Sequence, residues 1–260
     1  MLGWLRDRRR KRLLAEPIPT HWDAILDDNV VLARRLDPVA RRRLLERIAV
    51  FISEKSWEGC GGLELTEEMQ ITIAAQACIL TLNHADDRFT DVASILVYPS
   101  TLITPPRPLA FFEQPRAPVG HGRTVIGEAM LGGPVVLAWD AVLAGGREET
   151  LGNVVLHEFA HKLDMATGRI DGTPVLANRA ERDRWGRVCS EAYTRHRAMV
   201  DAGWPTLMDA YGATNEAEFF AVATETYFTR PLDLAYEHRA LFSLLADFYG
   251  DLTQHRLVGA

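Results

Sequence analysis

The stretch Val154-Val155-Leu156-His157-Glu158-Phe159-Ala160-His161-Lys162-Leu163-Asp164 decides how the rest of the chain is read. Its apolar spacing is helical, and on a helix positions i and i+4 share one face about a turn apart. His157 and His161 therefore present two imidazoles to one point, while Val155, Phe159 and Leu163 pack around the other sides. Two histidines at this spacing, with a glutamate after the first, form an HExxH pattern that suits Zn²⁺. Glu158 is placed to act as a base on water at the ion rather than to ligate. The plain alternative is a pair of neutral histidines on a buried helix, so the pattern needs context.

A catalytic zinc site takes three protein ligands and leaves one position open. No histidine follows at the HExxHxxGxxH spacing; Asp164, Gly168 and Asp171 come next. An acidic candidate sits on a later helix, in Tyr211-Gly212-Ala213-Thr214-Asn215-Glu216-Ala217-Glu218-Phe219-Phe220-Ala221-Val222-Ala223-Thr224-Glu225. Asn215 reads as its N-cap, and Glu218 falls in the first turn, where it also suits the helix dipole. Glu218 and Glu225 share one face of an otherwise greasy helix, which calls for a cationic partner. Asp164, three residues after His161, is a candidate either for orienting a ligand imidazole or for a helix C-terminal cap or salt bridge.

Around this centre the periodicity predicts helices over 38–53 and 66–82, the second starting on Thr66 as N-cap. Residues 94–98, 101–103, 124–127 and 134–139 read as short strands, punctuated by Pro99, Pro105, Pro106 and Pro108 and joined through Gly132-Gly133. Helical spacing returns over 147–165, 178–200, 215–229 and 237–250. Helices, a small mixed sheet and helices again predict an α+β fold rather than alternating βαβ units. The expected layout is a basic arm over 1–15 and one domain over 16–260, with lobes of about 16–146 and 147–260.

The chain has 260 residues, 47% hydrophobic and 25% charged, which supports a sizeable core and excludes global disorder. No apolar run reaches the ~18 residues of a membrane span, and the N-terminus lacks the apolar stretch of a secretory signal. Three scattered cysteines (60, 78 and 189) make no disulfide framework, so a cytoplasmic protein is expected. The net charge is −6; residues 6–12 carry six bases and one acid, and that +5 leaves −11 on the remainder. A basic tip on an acidic body has the charge to bind nucleic acid or anionic lipid, but the simpler expectation is a solvated arm and no direct nucleic-acid binding.

His157 to Asp164, followed by Met208-Asp209-Ala210-Tyr211 and Ala217-Glu218-Phe219-Phe220-Ala221-Val222, resembles the Mlc titration factor A family of bacterial zinc metallopeptidases. Ile95-Leu96-Val97-Tyr98-Pro99 and Gly133-Pro134-Val135-Val136-Leu137 are similar to it as well. The resemblance runs from about Ile18 to the last helix. It implies a zincin-like fold related to the catalytic domain of anthrax lethal factor, with a Tyr seven residues before the ligand Glu. Carried over, it makes His157, His161 and Glu218 the ligands of one zinc ion per chain, Glu158 the general base, and Tyr211 the hydroxyl that supports the tetrahedral intermediate. Where lethal factor has a further Glu one turn after its ligand, this chain has Val222, with Glu225 nearly a turn later.

The activity so implied is hydrolysis of peptide bonds, aminopeptidase-like or on short peptides. The strand over 134–138 reads either as an edge that offers backbone groups to an extended peptide or as a plain core strand. The resemblance also implies association with a Mlc-type repressor of glucose uptake. Two readings therefore compete with peptide hydrolysis: chiefly a repressor-sequestering protein, or a zinc hydrolase of other substrates.

Overall fold

The computed structural model describes residues 2–85, 88–100, 102–104, 123–125, 127–129, 132–148 and 152–250. The basic segment forms helix α1 (Leu2–Leu13), held on α3 (Pro38–Glu54) by an Arg10–Glu54 ion pair at 2.6 Å. Between them lies α2 (His21–Asn29). Pro38 at the first position and the Asp37 side chain, which accepts from Ala40 N at 2.8 Å, start α3 as local chemistry requires. Thr66 caps α4 (Glu67–Thr81) by accepting from Met69 N. From Ile71 onward every residue of α4 is buried, so this part of the helix lies inside the protein, apolar except at Thr72, Gln76 and Thr81.

Four strands make one mixed sheet in the order β1 (Ser56–Gly59), β2 (Ser94–Tyr98), β6 (Val135–Ala138), β5 (Gly127–Ala129). β3 (Leu102–Thr104) and β4 (Arg123–Val125) pair separately and antiparallel. β1, β2 and β6 are parallel, with Trp57 opposite Ile95 and Ile95 opposite Val135, whereas β5 runs antiparallel to β6 with Gly127 opposite Leu137. β1 and β2 are joined through α4, so the small mixed sheet holds one βαβ unit without becoming an alternating βαβ series; the short, half-polar Ser-Trp-Glu-Gly of β1 carried too little periodicity to be read as a strand. One expectation is corrected here. The strand over 134–138 lies between β2 and β5 and has no free edge, and among the described residues the edge on that side is β5. Of the segments singled out from the sequence, Thr101, Pro105, Pro106, Pro108 and Ile126 lie outside the described residues.

The helical second half begins earlier than expected, and in two pieces. α5 (Trp139–Arg147) starts where a strand was expected to end, and α6 (Val154–Met165) starts afresh on Asn153 after Gly152, whose φ of +111° no helix tolerates. α7 (Arg179–Asp201) and α8 (Glu216–Thr229) begin on the caps Asn178 and Asn215. Pro231 then opens α9 (Pro231–Glu237), followed by α10 (Arg239–Tyr249).

The core is one contiguous apolar cluster from Trp22 to Tyr249, uniting the segments before and after residue 146. α6 lies at its centre, packed on α4, α5, α8 and the β5–β6 side of the sheet. Phe159, fully buried on α6, meets Phe89 edge-on at 4.9 Å between ring centroids and Phe51 at 5.7 Å. No helix among the described residues is long and apolar enough to cross a membrane.

Candidate metal centre

Two helix starts build the site. The Asn153 side chain accepts from Leu156 N at 3.0 Å and sets the first turn of α6, so His157 and His161 follow one above the other on the face toward α8. The Asn215 side chain accepts from Glu218 N, also at 3.0 Å, and fixes the first turn of α8 with Glu218 pointing back at that face. His157 Nε2 lies 3.1 Å from Glu218 Oε2, His161 Nε2 lies 3.2 Å from the same oxygen, and the two Nε2 atoms are 3.1 Å apart. Three ligand-type atoms thus form a nearly equilateral triangle. Among the described residues this is the one cluster of three or more His, Cys, Asp or Glu able to hold a metal ion.

The triangle has the dimensions of a zinc site. Zinc bonds of about 2.0–2.1 Å at tetrahedral angles put ligand atoms about 3.3–3.4 Å apart, within a few tenths of an ångström of the distances seen. Charge agrees with geometry. Burial by itself depresses the His157 pKa, yet hydrogen bonds to Glu218 and Glu225 carry it up to about 10, so the site demands positive charge at this point. Burial likewise opposes ionisation of Glu218, but the two histidines hold its carboxyl below the usual carboxylate range. A divalent cation among the three atoms meets the same demand.

Glu225 is the residue whose role the sequence left open. Its Oε1 accepts from His157 Nδ1 at 2.7 Å, which keeps the proton on Nδ1 and leaves the Nε2 lone pair for a metal. The signal was present in the acidic stripe on α8, since position 225 is seven residues, two helical turns, from Glu218. Asp164 does not orient a ligand imidazole. Its Oδ1 accepts from the backbone N–H groups of Thr173 at 2.8 Å and Asp171 at 3.4 Å, which ties down the loop after α6.

Glu158 faces β5. Burial pushes its pKa up to about 7 against the pull of His157 and His161, and Ala129 N–H donates to its carboxylate. β5 runs so close that a Cβ on Gly127 would lie 2.7 Å from Glu158 Oε1 and 2.6 Å from Val154 Cγ2. Any side chain there would have to push β5 or Glu158 aside. Lys162, one turn beyond Glu158, is fully buried and donates to Gly133 O at 2.8 Å, fastening the turn that leads into β6. Neither contact was legible in the sequence, because each depends on where the sheet crosses α6.

Tyr211 stands on a single 3-10 turn (Ala210–Ala213), where the Asp209 side chain accepts from Tyr211 N at 2.7 Å. Its hydroxyl donates to Glu218 Oε1 at 3.2 Å, and its ring is tilted 6.1 Å from that of His157. α7 clamps this turn from behind: His196 Nε2 donates to Asp209 O at 3.1 Å, and Tyr193 OH to Ala213 O at 3.3 Å. All five residues singled out from the sequence (His157, Glu158, His161, Tyr211 and Glu218) are therefore gathered in one place.

Comparison with known proteins agrees with this geometry. The chain is 36% identical over 250 residues to an uncharacterized protein of Synechocystis sp., covering 95% of this chain and 89% of the relative. It is 31% identical over 225 residues to Mlc titration factor A of Klebsiella pneumoniae, with 82% and 80% covered. To Mlc titration factor A of Cronobacter sakazakii it is 28% identical over 261 residues, with 96% and 92% covered. The sequence profile of the glucose-regulated metallo-peptidase M90 family matches residues 4–250, and the chain belongs to that family.

Proposed function

We propose that the protein is a zincin-like, zinc-dependent peptidase in which His157, His161 and Glu218 hold one ion per chain. The observation that carries this reading is the triangle of ligand atoms 3.1–3.2 Å on a side. When bound, the ion supplies Lewis acidity to the scissile carbonyl and to the attacking water. Glu158 is the general base: it takes a proton from that water as the new C–O bond forms, and returns it to the amine as the C–N bond breaks. Tyr211 OH, which Glu218 Oε1 holds at 3.2 Å, is the donor that turns to the oxyanion. β5 is the strand along which a short extended peptide lies, because it borders Glu158 and is an edge of the sheet among the described residues.

The test is metal analysis beside peptide hydrolysis. The wild-type chain should hold one zinc and lose activity to a chelator. Glu158→Gln should keep the metal and lose about 10²–10⁴-fold in rate. A Glu158→Gln variant that cleaves at the wild-type rate refutes the mechanism.

A second reading follows from the name shared by several relatives, Mlc titration factor A. On it the chain binds a Mlc-type repressor of glucose uptake, as a partner rather than a substrate. Repressor binding by a His157→Ala, Glu158→Gln double variant separates this role from hydrolysis; binding lost together with the metal makes the two one function.

A further inference from the structure

Behind Glu225 a buried chain of polar groups continues away from the ion site. The backbone N–H of Asn153 donates to Glu225 Oε2 at 2.5 Å. The Asn153 amide nitrogen donates to Gln76 Oε1 at 2.7 Å and to Gly145 O at 2.8 Å, while its oxygen accepts from Leu156 N. The Gln76 amide nitrogen donates to Thr72 O at 3.2 Å and Val142 O at 3.3 Å. Asn153 is 1% exposed and Gln76 fully buried. Each amide has both N–H donors placed and its oxygen engaged, and turning either one over would set N–H against N–H and oxygen against oxygen. Their orientation is therefore fixed, and with it the line from α4 through α6 to α8.

The packing leaves this pair no slack. A Cβ on Gly145 would lie 2.9 Å from Asn153 Cα, and one on Gly146 would lie 2.9 Å from Gln76 Nε2 and 2.4 Å from Asn29 O. The Gly145-Gly146 step at the end of α5 thus lets its backbone close on both amides. A buried polar group costs free energy unless it is bonded, so a polar pair this deep calls for a reason. Glu225 supplies it: a buried carboxylate that must present Oε1 to His157 Nδ1 needs its other oxygen held.

We infer that Gln76 and Asn153 are positioning residues of the metal centre: they hold Glu225 in place, and through it the tautomer and aim of the His157 ring. The inference rests on His157, His161 and Glu218 being the ligands, and the experiment keeps the two apart. Zinc affinity is measured on the full-length chain by chelator competition, and the visible spectrum is recorded with Co²⁺ in place of zinc. The variants are Gln76→Met, which keeps the volume of the side chain without its bonds, and Asn153→Ser, which keeps a helix-capping oxygen but loses the amide donors. Ile71→Ala, in the core well round α4 from Gln76, is the control for lost stability alone.

Gln76→Met and Asn153→Ser should each weaken zinc binding roughly tenfold, at the low end for groups that orient a ligand. Both should alter the Co²⁺ spectrum at saturating metal. Ile71→Ala should lower the melting temperature and change neither readout. Wild-type affinity and spectrum in both relay variants, with His157→Ala abolishing binding, would overturn the inference and leave the ligand assignment standing. A wild-type chain that takes up neither metal overturns both. If one relay variant does not fold, the other decides.

Discussion

Glu225 Oε1 lies 2.7 Å from His157 Nδ1, on the side of the ring opposite the nitrogen that meets Glu218. One imidazole is thus gripped by two carboxylates from the same helix, two turns apart, and only one of them faces the ion site. Glu225→Ala should weaken zinc binding about 10–100-fold, while Glu225→Gln, which keeps an acceptor oxygen, should lose less. Chelator competition measures both, and equal losses in the two variants would show that the hydrogen bond is not what matters.

Substitution at Gly127 should separate hydrolysis from metal binding. A methyl group there would meet Val154 and Glu158 at 2.6–2.7 Å, so β5 or the Glu158 side chain has to move. Gly127→Ala should destabilise the fold by about 1–3 kcal/mol in urea denaturation. It should also lower kcat while the zinc content stays at the wild-type level. Unchanged kcat would mean that Glu158 does not act from the position seen beside β5.

Tyr211→Phe removes the hydroxyl that now donates to Glu218 Oε1. As an oxyanion donor it should be worth about 10²–10³-fold in kcat, with KM changed little. Steady-state kinetics on a peptide substrate decide the point. A loss confined to KM would make Tyr211 a substrate contact instead.

His196 gives the stability a pH dependence of known sign. Burial lowers its pKa below the ordinary histidine value, despite the backbone carbonyl of Asp209. The unfolded chain therefore binds the proton more readily than the folded one. Stability is full above the unfolded value of about 6.5 and falls as the pH drops through it toward the lower folded value. His238 shifts the same way, by burial and then by the nearby Arg195, so it adds to the slope. Melting temperatures from pH 8 to pH 5 should fall less steeply for His196→Gln than for the wild type; parallel curves would reject the assignment.

Much of the site was legible before any coordinates because its parts are local. The His157–His161 spacing, Asn215 as a cap and Glu218 in the first turn each depend on a few consecutive residues and on helix geometry, which sequence encodes directly. Glu225 was visible only as an acid out of place on a greasy helix. The two roles open for Asp164 could not be separated without the loop at 171–173, whose backbone N–H groups donate to its carboxylate. The edge role considered for residues 134–138 failed for a related reason: an all-apolar strand reads alike at an edge and in the interior until its neighbours are known.

Local patterning, then, settled which side chains share a helix face: short-range periodicity and capping place them there without help from the rest of the molecule. Tertiary structure alone decided who stands beside them. That β5 presses on Glu158, that Lys162 fastens the turn before β6, and that a line of amides runs from Gln76 to Glu225 all require segments distant in sequence to meet. Those meetings are set by how the apolar faces of α4, α6, α8 and the sheet pack together, and a hydrophobic face specifies that it must be covered but not by what.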